Sequence, residues 1–306
     1  MNANRDPQKA LHLYLDEDKK NPKHVGETYA VMEKFDGWYM FIDCINGVWQ
    51  DITSRNMNVI SSMSTYTAMF KERVPAPKRD ARLIFEGIVC HQVTGYPMEF
   101  KTVNGWFNRK APLHMPATLQ CHDLIIFGDE EAPFKFRYEH LKAMFRAIDK
   151  KDPTLAEYLK LVPTIAISDD PTVWKGIYED TIRKYNCTGE GVILKRVDAP
   201  YSYKKKNADI LKIKCENTFE LKVVGIEVGE GKYKDTLGKL VVSDAHGVIN
   251  KVSGMSDSLR DLWWGTPSLI VGKVVEVACM KVLSNKSLRE GRFKAVRHDK
   301  DEIDAL

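Results

Sequence analysis

The sequence contains no C-x-x-C pair, no apolar run of membrane-spanning length, no internal repeat and no low-complexity stretch. Each absence removes a class of protein. Six cysteines, Cys44, Cys90, Cys121, Cys187, Cys215 and Cys279, lie scattered through 306 residues. That spacing argues against a zinc ribbon or a disulfide framework and for thiols of a reducing compartment. The first residues, MNANRDPQKALHLYLDEDKKNPK, carry charge throughout and provide no apolar segment for a signal peptide. A soluble, cytoplasmic protein with no membrane partner is expected, and the lack of repeats excludes a solenoid. Net charge is also scarce. The formal value of +4 is far below that of a protein that holds nucleic acid by bulk charge, so the placement of charge must matter more than its total.

What is present suits two domains, one large and one small, each able to bury its own core. Lysine and arginine cluster in Lys195 to Lys214 and in Lys281 to Lys300, while acidic residues dominate Asp123 to Glu131. Each basic cluster alone is equally well read as a solvated face. Apolar content and flanking Gly, Asn or Asp predict strands over Tyr29 to Met32, Trp38 to Ile45, Arg82 to Cys90, Ala117 to Phe127 and Glu190 to Lys195. The longer apolar spacing of Tyr138 to Ile148 and Pro171 to Tyr185 predicts amphipathic helices. From Phe219 onward the texture changes to short strands punctuated by glycine, as in a small β-barrel. A boundary is placed near Cys215 to Phe219, giving domains 1–216 and 217–306.

Between the first two predicted strands stands Glu33-Lys34-Phe35-Asp36-Gly37. Asp-Gly between β-rich runs is a turn signature, and the turn would display Lys34 at a strand end. A K-x-D-G match arises by chance in a chain of this length with a probability on the order of several per cent. By itself it is no more than a surface hairpin.

Other elements follow in order: Ser54-Arg55-Asn56, Phe85-Glu86-Gly87, Cys121-His122-Asp123-Leu124, Glu190-Gly191-Val192-Ile193-Leu194-Lys195, Leu211-Lys212-Ile213-Lys214, then Leu288-Arg289-Glu290-Gly291-Arg292-Phe293 and Arg297-His298-Asp299-Lys300. The ordered set resembles the covalent nucleotidyltransferase superfamily of ATP-dependent DNA ligases, RNA ligases and capping enzymes, and within it the minimal two-domain DNA ligases of viruses, phages and some bacteria. The resemblance spans nearly the whole chain. It implies an α+β fold, with an ATP-grasp-like nucleotidyltransferase domain of largely antiparallel sheets and flanking helices, followed by an OB-fold barrel. It implies ATP as co-substrate, Mg²⁺ or Mn²⁺ as cofactor, and nicked duplex DNA as partner of a monomer. A viral source would place the enzyme in the host-cell cytoplasm.

AMP transfer needs an amine in line with departing pyrophosphate, and most of the catalysis comes from positioning and from neutralising phosphate charge. Lys34 supplies the amine, with Asp36 beside it in the catalytic motif. Because an unperturbed lysine is protonated at neutral pH, nearby cations are expected to depress its pKa. Ile213 separates Lys212 and Lys214, so both point to one face of a strand, within reach of the α-phosphate if they are not merely an amphipathic alternation. By the resemblance Glu190 holds the metal, Glu86 contacts the ribose or shares the metal, and Arg55 holds a ribose or phosphate oxygen. An exposed strand glutamate and a plain loop arginine are the alternatives. Adenine is expected between a planar and an aliphatic side chain. Here the family's usual Phe or Tyr is replaced by His122, which can stack or simply pack in the core, and Val192 or Ile193 forms the opposite wall. Met32 stands where relatives often carry a polar group for the adenine amine, leaving backbone atoms around Glu33 to serve.

Arg289, Arg292, Arg297, Asp299 and Lys300 match the closing element that, in the family, orients pyrophosphate. Phe219, Tyr233, Trp263 and Trp264 are candidate base-stacking groups on the barrel, although a tryptophan pair also suits a core. A DNA ligase is therefore expected. An RNA ligase, a capping guanylyltransferase and a non-catalytic binding module are the rivals. NAD-dependent ligases add an N-terminal nicotinamide-binding domain and a cysteine zinc site, for which about thirty residues before Lys34 leave no room.

Overall fold

The computed structural model describes residues 7–13, 26–89, 98, 100–113, 116–184, 190–214 and 216–306. Cys90, Tyr185, Cys187, Cys215 and most of the charged N-terminal stretch lie outside these residues. The chain divides into two compact units, Met1–Ile213 and Lys214–Leu306. No described helix is long and apolar enough to cross a membrane.

The first unit runs β1 (Lys9–His12), β2 (Tyr29–Lys34), β3 (Trp38–Ile45), β4 (Val48–Trp49), β5 (Thr53–Ser54), α1 (Ser64–Arg73), β6 (Ala81–Ile88), α2 (Phe100–Phe107), β7 (Thr118–Ile126), α3 (Phe134–Lys151), β8 (Leu159–Leu161), β9 (Thr164–Ser168), α4 (Pro171–Lys184), β10 (Gly191–Arg196) and β11 (Lys206–Lys214). Two sheets result. One has the order β1-β11-β10-β2-β9; the other has the order β4-β3-β6-β7-β8, with β5 beside β3. Most pairings are antiparallel, but β1 joins β11 and β8 joins β7 in parallel.

Strand alternation sets which residues each sheet buries. In the first sheet Tyr29, Val31, Val192, Leu194, Leu211 and Ile213 surround Trp174 of α4. In the second, Met40, Ile42, Leu83, Phe85, Leu119 and Cys121 enter the largest core. Each such side chain contributes roughly 1.5–3 kcal/mol. One expectation changes in kind. β2 and β3 are consecutive in sequence yet belong to different sheets, so Lys34-Phe35-Asp36-Gly37 carries the chain from one sheet to the other and is not a hairpin. The helices α1 and α2 were not anticipated. In α1, STYTAMFKER, only Tyr66, Thr67 and Phe70 are buried, too few to impose a helical apolar period.

The second unit comprises β12 (Asn217–Val228), β13 (Leu237–Ser243), β14 (Ile249–Val252), α5 (Asp257–Gly265), β15 (Val274–Cys279), β16 (Lys281–Val282), β17 (Leu288–Arg289) and β18 (Arg292–Val296). Its main sheet is ordered β14-β13-β12-β15-β18, and a parallel bridge from Ser253 to Arg292 links its two edges. Leu221, Val223, Leu240, Val242, Val275 and Val277 fill the interior. The unexpected α5 begins where the Ser256 hydroxyl accepts the Leu259 amide, 3.3 Å away. It divides the tryptophan pair. Trp263 is 4% exposed and edge-on to Phe293 with centroids 5.3 Å apart, whereas Trp264 is 39% exposed. Trp263 is therefore core and cannot serve as a base platform.

Candidate active site

Lys34 ends β2 opposite Gly191 of β10. Because Tyr29, Val31, Val192, Leu194, Leu211 and Ile213 turn toward α4, alternation sends Lys34, Ile193, Lys195, Lys212 and Lys214 to the opposite face of the same sheet. Lys214 closes β11 and is also the first residue of the second unit. Glu33 takes the other side, where its Oε2 accepts from Lys184 at 3.4 Å. Only its backbone remains at the Lys34 edge.

The Lys34 ammonium donates to Glu190 Oε2 in a largely buried ion pair. Burial by itself would lower the lysine pKa. Glu190, Glu86 and Asp36 outweigh burial and hold it above the ordinary value. This reverses the expectation of a cation-depressed lysine: the described groups that set its pKa are carboxylates, so Lys34 rests as an ammonium.

The second sheet brings Glu86, Tyr39 and Arg55 to this place. Tyr39 lies directly opposite Glu86 across the β3–β6 ladder, which puts both side chains on one face. The Arg55 guanidinium sits over the Tyr39 ring, 4.8 Å from its centroid. The Gly37 amide donates to Glu86 Oε2 at 3.3 Å. Burial pushes the Glu86 carboxyl up to about 7, the Lys34 charge opposes that shift and Glu190 adds to it. A raised carboxylate stabilises the fold fully below its unfolded pKa, and the contribution disappears as pH rises through the folded value. Glu86→Gln should therefore raise Tm relative to wild type more at pH 8 than at pH 5. Equal differences at the two pH values would show that Glu86 does not titrate in this range.

Gly37 is required for space. A Cβ there would lie 2.8 Å from the Gly87 carbonyl oxygen, 2.9 Å from Ile88 Cγ2 and 3.0 Å from Glu86 Cβ. Gly37→Ala is expected to destabilise the protein by about 1–3 kcal/mol through overpacking and to displace Glu86. A denaturation midpoint unchanged from wild type would disprove the close approach.

His122 is half-buried in β7, its ring 6.0 Å from that of Tyr39. Lys195 donates to His122 Nδ1 at 3.1 Å, to the His122 carbonyl at 2.8 Å and to Asp123 Oδ2 at 3.1 Å. Arg137 of α3 completes the cluster through Asp123, at 3.0 and 3.3 Å. Ile193 is partly buried, on the same face as Lys195, while Val192 faces the Trp174 core. Of the two candidate walls, Ile193 shares the face of Lys34 and Val192 does not. Tyr39 and Lys195 were not singled out from the sequence as site residues, because cross-strand register brings Tyr39 in and no linear spacing reports it.

In the second unit the basic closing residues are engaged among themselves and with carboxylates. Arg297 pairs with Asp299 through Nε–Oδ1 at 2.9 Å and Nη2–Oδ2 at 2.7 Å, and reaches Glu220 at 2.5 Å. Lys300 joins Glu220 at 3.2 Å, and Arg292 pairs with Glu216 at 2.7 Å. Hydrogen bonding to Arg297 holds the Asp299 carboxyl down to about 2. Arg289 closes the short β16–β17 ladder, opposite Lys281.

A strand-end lysine held by a buried glutamate, beside a second glutamate and an arginine, brings together an amine, two carboxylates and a fixed cation. The sequence matches the family profile described as ATP dependent DNA ligase domain over residues 14–214. This chain belongs to that family. Among curated relatives, a probable DNA ligase of Anaeromyxobacter dehalogenans is 26% identical over 288 residues, covering 83% of this chain and 53% of its own. The chain spans about half the length of such curated relatives. Of solved structures, a Lig E DNA ligase superposes with a TM-score of 0.68 at 23% identity, covering 95% of this chain and 98% of its own. The ligase of bacteriophage T7, solved with ATP, gives 0.54 at 17% identity, covering 97% of this chain and all, 100%, of its own. The mixed α+β architecture with antiparallel sheets is thus that of the ATP-dependent DNA ligases. Within that frame the K-x-D-G lysine is Lys34, and Glu190 opens the element that pairs with it across the β2–β10 ladder.

Proposed function

We propose that this chain seals 5′-phosphate/3′-hydroxyl nicks in duplex DNA with ATP as co-substrate. The observation that carries the reading is the Lys34–Glu190 pair, with Glu86 beside it, in a chain of the ATP-dependent ligase family. Lys34 Nζ forms a bond to the α-phosphorus of ATP as the bond to pyrophosphate breaks. The 5′-phosphate at the nick then displaces Lys34 from AMP, and the 3′-hydroxyl displaces AMP to close the strand. Lys212 and Lys214 neutralise the α-phosphate, Arg55 holds a ribose or phosphate oxygen, and His122 and Ile193 flank the adenine.

Two neighbouring carboxylates in a buried site fit a divalent cation. Glu86 is pushed up to about 7 partly by Glu190, and one or two protein carboxylates suffice for Mg²⁺. Glu190 and Glu86 would hold it, and when bound it supplies charge neutralisation at the transferring phosphate. The second unit is an OB barrel. Its strand order, the helix between its third and fourth long strands and the parallel Ser253–Arg292 bridge support this assignment. The domains are 1–216 and 217–306, and Arg289, Arg292, Arg297, Asp299 and Lys300 orient the pyrophosphate. The enzyme acts as a cytoplasmic monomer.

A nick-sealing assay with labelled ATP, GTP and NAD on DNA and RNA substrates tests this. ATP-dependent labelling of Lys34 and closure of the DNA nick are expected. Labelling by GTP in place of ATP would make the chain a capping enzyme, and sealing of RNA alone would make it an RNA ligase. Sealing should also weaken from low to high salt, because phosphate contacts release counterions.

A further inference from the structure

The Lys195 ammonium is 4% exposed, and the chemistry above gives it no role. Its three acceptors, His122 Nδ1, the His122 carbonyl and Asp123 Oδ2, lie 3.1, 2.8 and 3.1 Å from Nζ. An ammonium has three protons and no lone pair, so these contacts use every donor it has. His122 Nδ1 must then accept. A ring that accepts at Nδ1 carries its proton on Nε2 and is uncharged. Lys195 cannot turn away without abandoning Asp123, itself buried and gripped by Arg137, which also donates to the Ala199 carbonyl at 3.1 Å.

We propose that Lys195 is a positioning residue for the nucleotide: by holding both the carbonyl and Nδ1 of His122, it presents that ring to a purine as the neutral Nε2–H tautomer in one orientation. The inference rests on the adenylation reading above. It makes the ring a neutral stacking face for the base, with its Nε2–H in the ring plane and not directed at that base. Burial, reinforced by the Lys195 and Lys34 charges and opposed by Asp123, holds the ring far below the ordinary histidine pKa. Burial lowers the Lys195 pKa, Arg137 adds to that, and Asp123 and Glu86 oppose it; Tyr39 faces the ring from β3.

The test combines imidazole ¹H–¹⁵N spectra of the full chain from pH 5 to 8 with ATP kinetics of self-adenylation. Wild type, Lys195→Met, His122→Phe and the double variant are compared. Wild-type His122 should keep the neutral Nε2–H pattern at every pH. Lys195→Met should raise the pKa of the ring and free its tautomer, because the Lys195 charge and its hydrogen bond to Nδ1 are gone while Arg137 still holds Asp123, and should raise KM for ATP by roughly tenfold, the order expected for losing a charge-assisted hydrogen bond, with kcat changed less. In the His122→Phe background the same replacement should change KM by less than about threefold. A wild-type ring protonated on Nδ1, or titrating near its ordinary value, overturns the proposal without any variant. Equal KM effects in both backgrounds overturn it too, since Lys195 would then act through the fold alone. Expected spectra without ATP labelling would sink the adenylation reading and, with it, the nucleotide part of this one. Wrong spectra with normal labelling would sink only this one.

Discussion

Lys34→Ala is expected to abolish AMP labelling of the protein and to reduce nick sealing by at least about 10⁴-fold, the scale on which loss of a nucleophile is felt. Lys34 ends β2 against the Glu190 carboxylate, which places its amine at the proposed site of attack. Lys34→Arg should be equally inactive, because a guanidinium stays protonated and cannot attack. The resting ion pair adds a pH signature. Since Glu190, Glu86 and Asp36 hold the Lys34 pKa above its ordinary value, the attacking free amine becomes more populated as pH rises, and the rate of self-adenylation should climb through the neutral range. Sealing by Lys34→Ala at the wild-type rate would refute the mechanism.

The largest effect on stability is expected at Asp123. Its carboxylate is fully buried and neutralises two cations that are themselves nearly inaccessible, Arg137 at 3% and Lys195 at 4% exposure. Asp123→Ala leaves both charges in the interior without a counter-ion, a situation that costs about 3–5 kcal/mol. Chemical denaturation should show the loss directly, and a change below about 1 kcal/mol would mean that water or another group compensates the cluster. The pH dependence has a defined sign. Burial opposes ionisation of Asp123, but Arg137 and Lys195 prevail and hold its carboxyl far below the usual carboxylate range. Its contribution is thus complete above the unfolded pKa, near 3.9, and is lost as pH falls below that.

The regular β segments were legible because alternation and turn residues are local. Trp38–Ile45 is a strand with the predicted ends, and α4 starts at Pro171 as the helical spacing indicated. The same-face placement of Lys212 and Lys214 follows from strand geometry alone, given that Leu211 and Ile213 are buried. α1 escaped notice because tertiary contacts stabilise it more than its own apolar period does. Trp263 and Trp264 are adjacent in sequence, and only the helical turn of α5 decides which of them is buried.

The Lys34 motif shows where local pattern stops. Its residue types and order, with the later glutamates, lysines and arginines, were enough to point to the family and to the chemistry proposed for it, because a reaction needs particular functional groups. Sequence could not show that Asp36-Gly37 bridges two sheets, that Gly37 is demanded by the Gly87 carbonyl, or that Glu190, Glu86 and Asp36 together hold the lysine pKa up. Those depend on strand register and on burial. Both arise from contacts between residues as far apart as Lys34 and Glu190, and the sign of a pKa shift follows from which charges those contacts bring together.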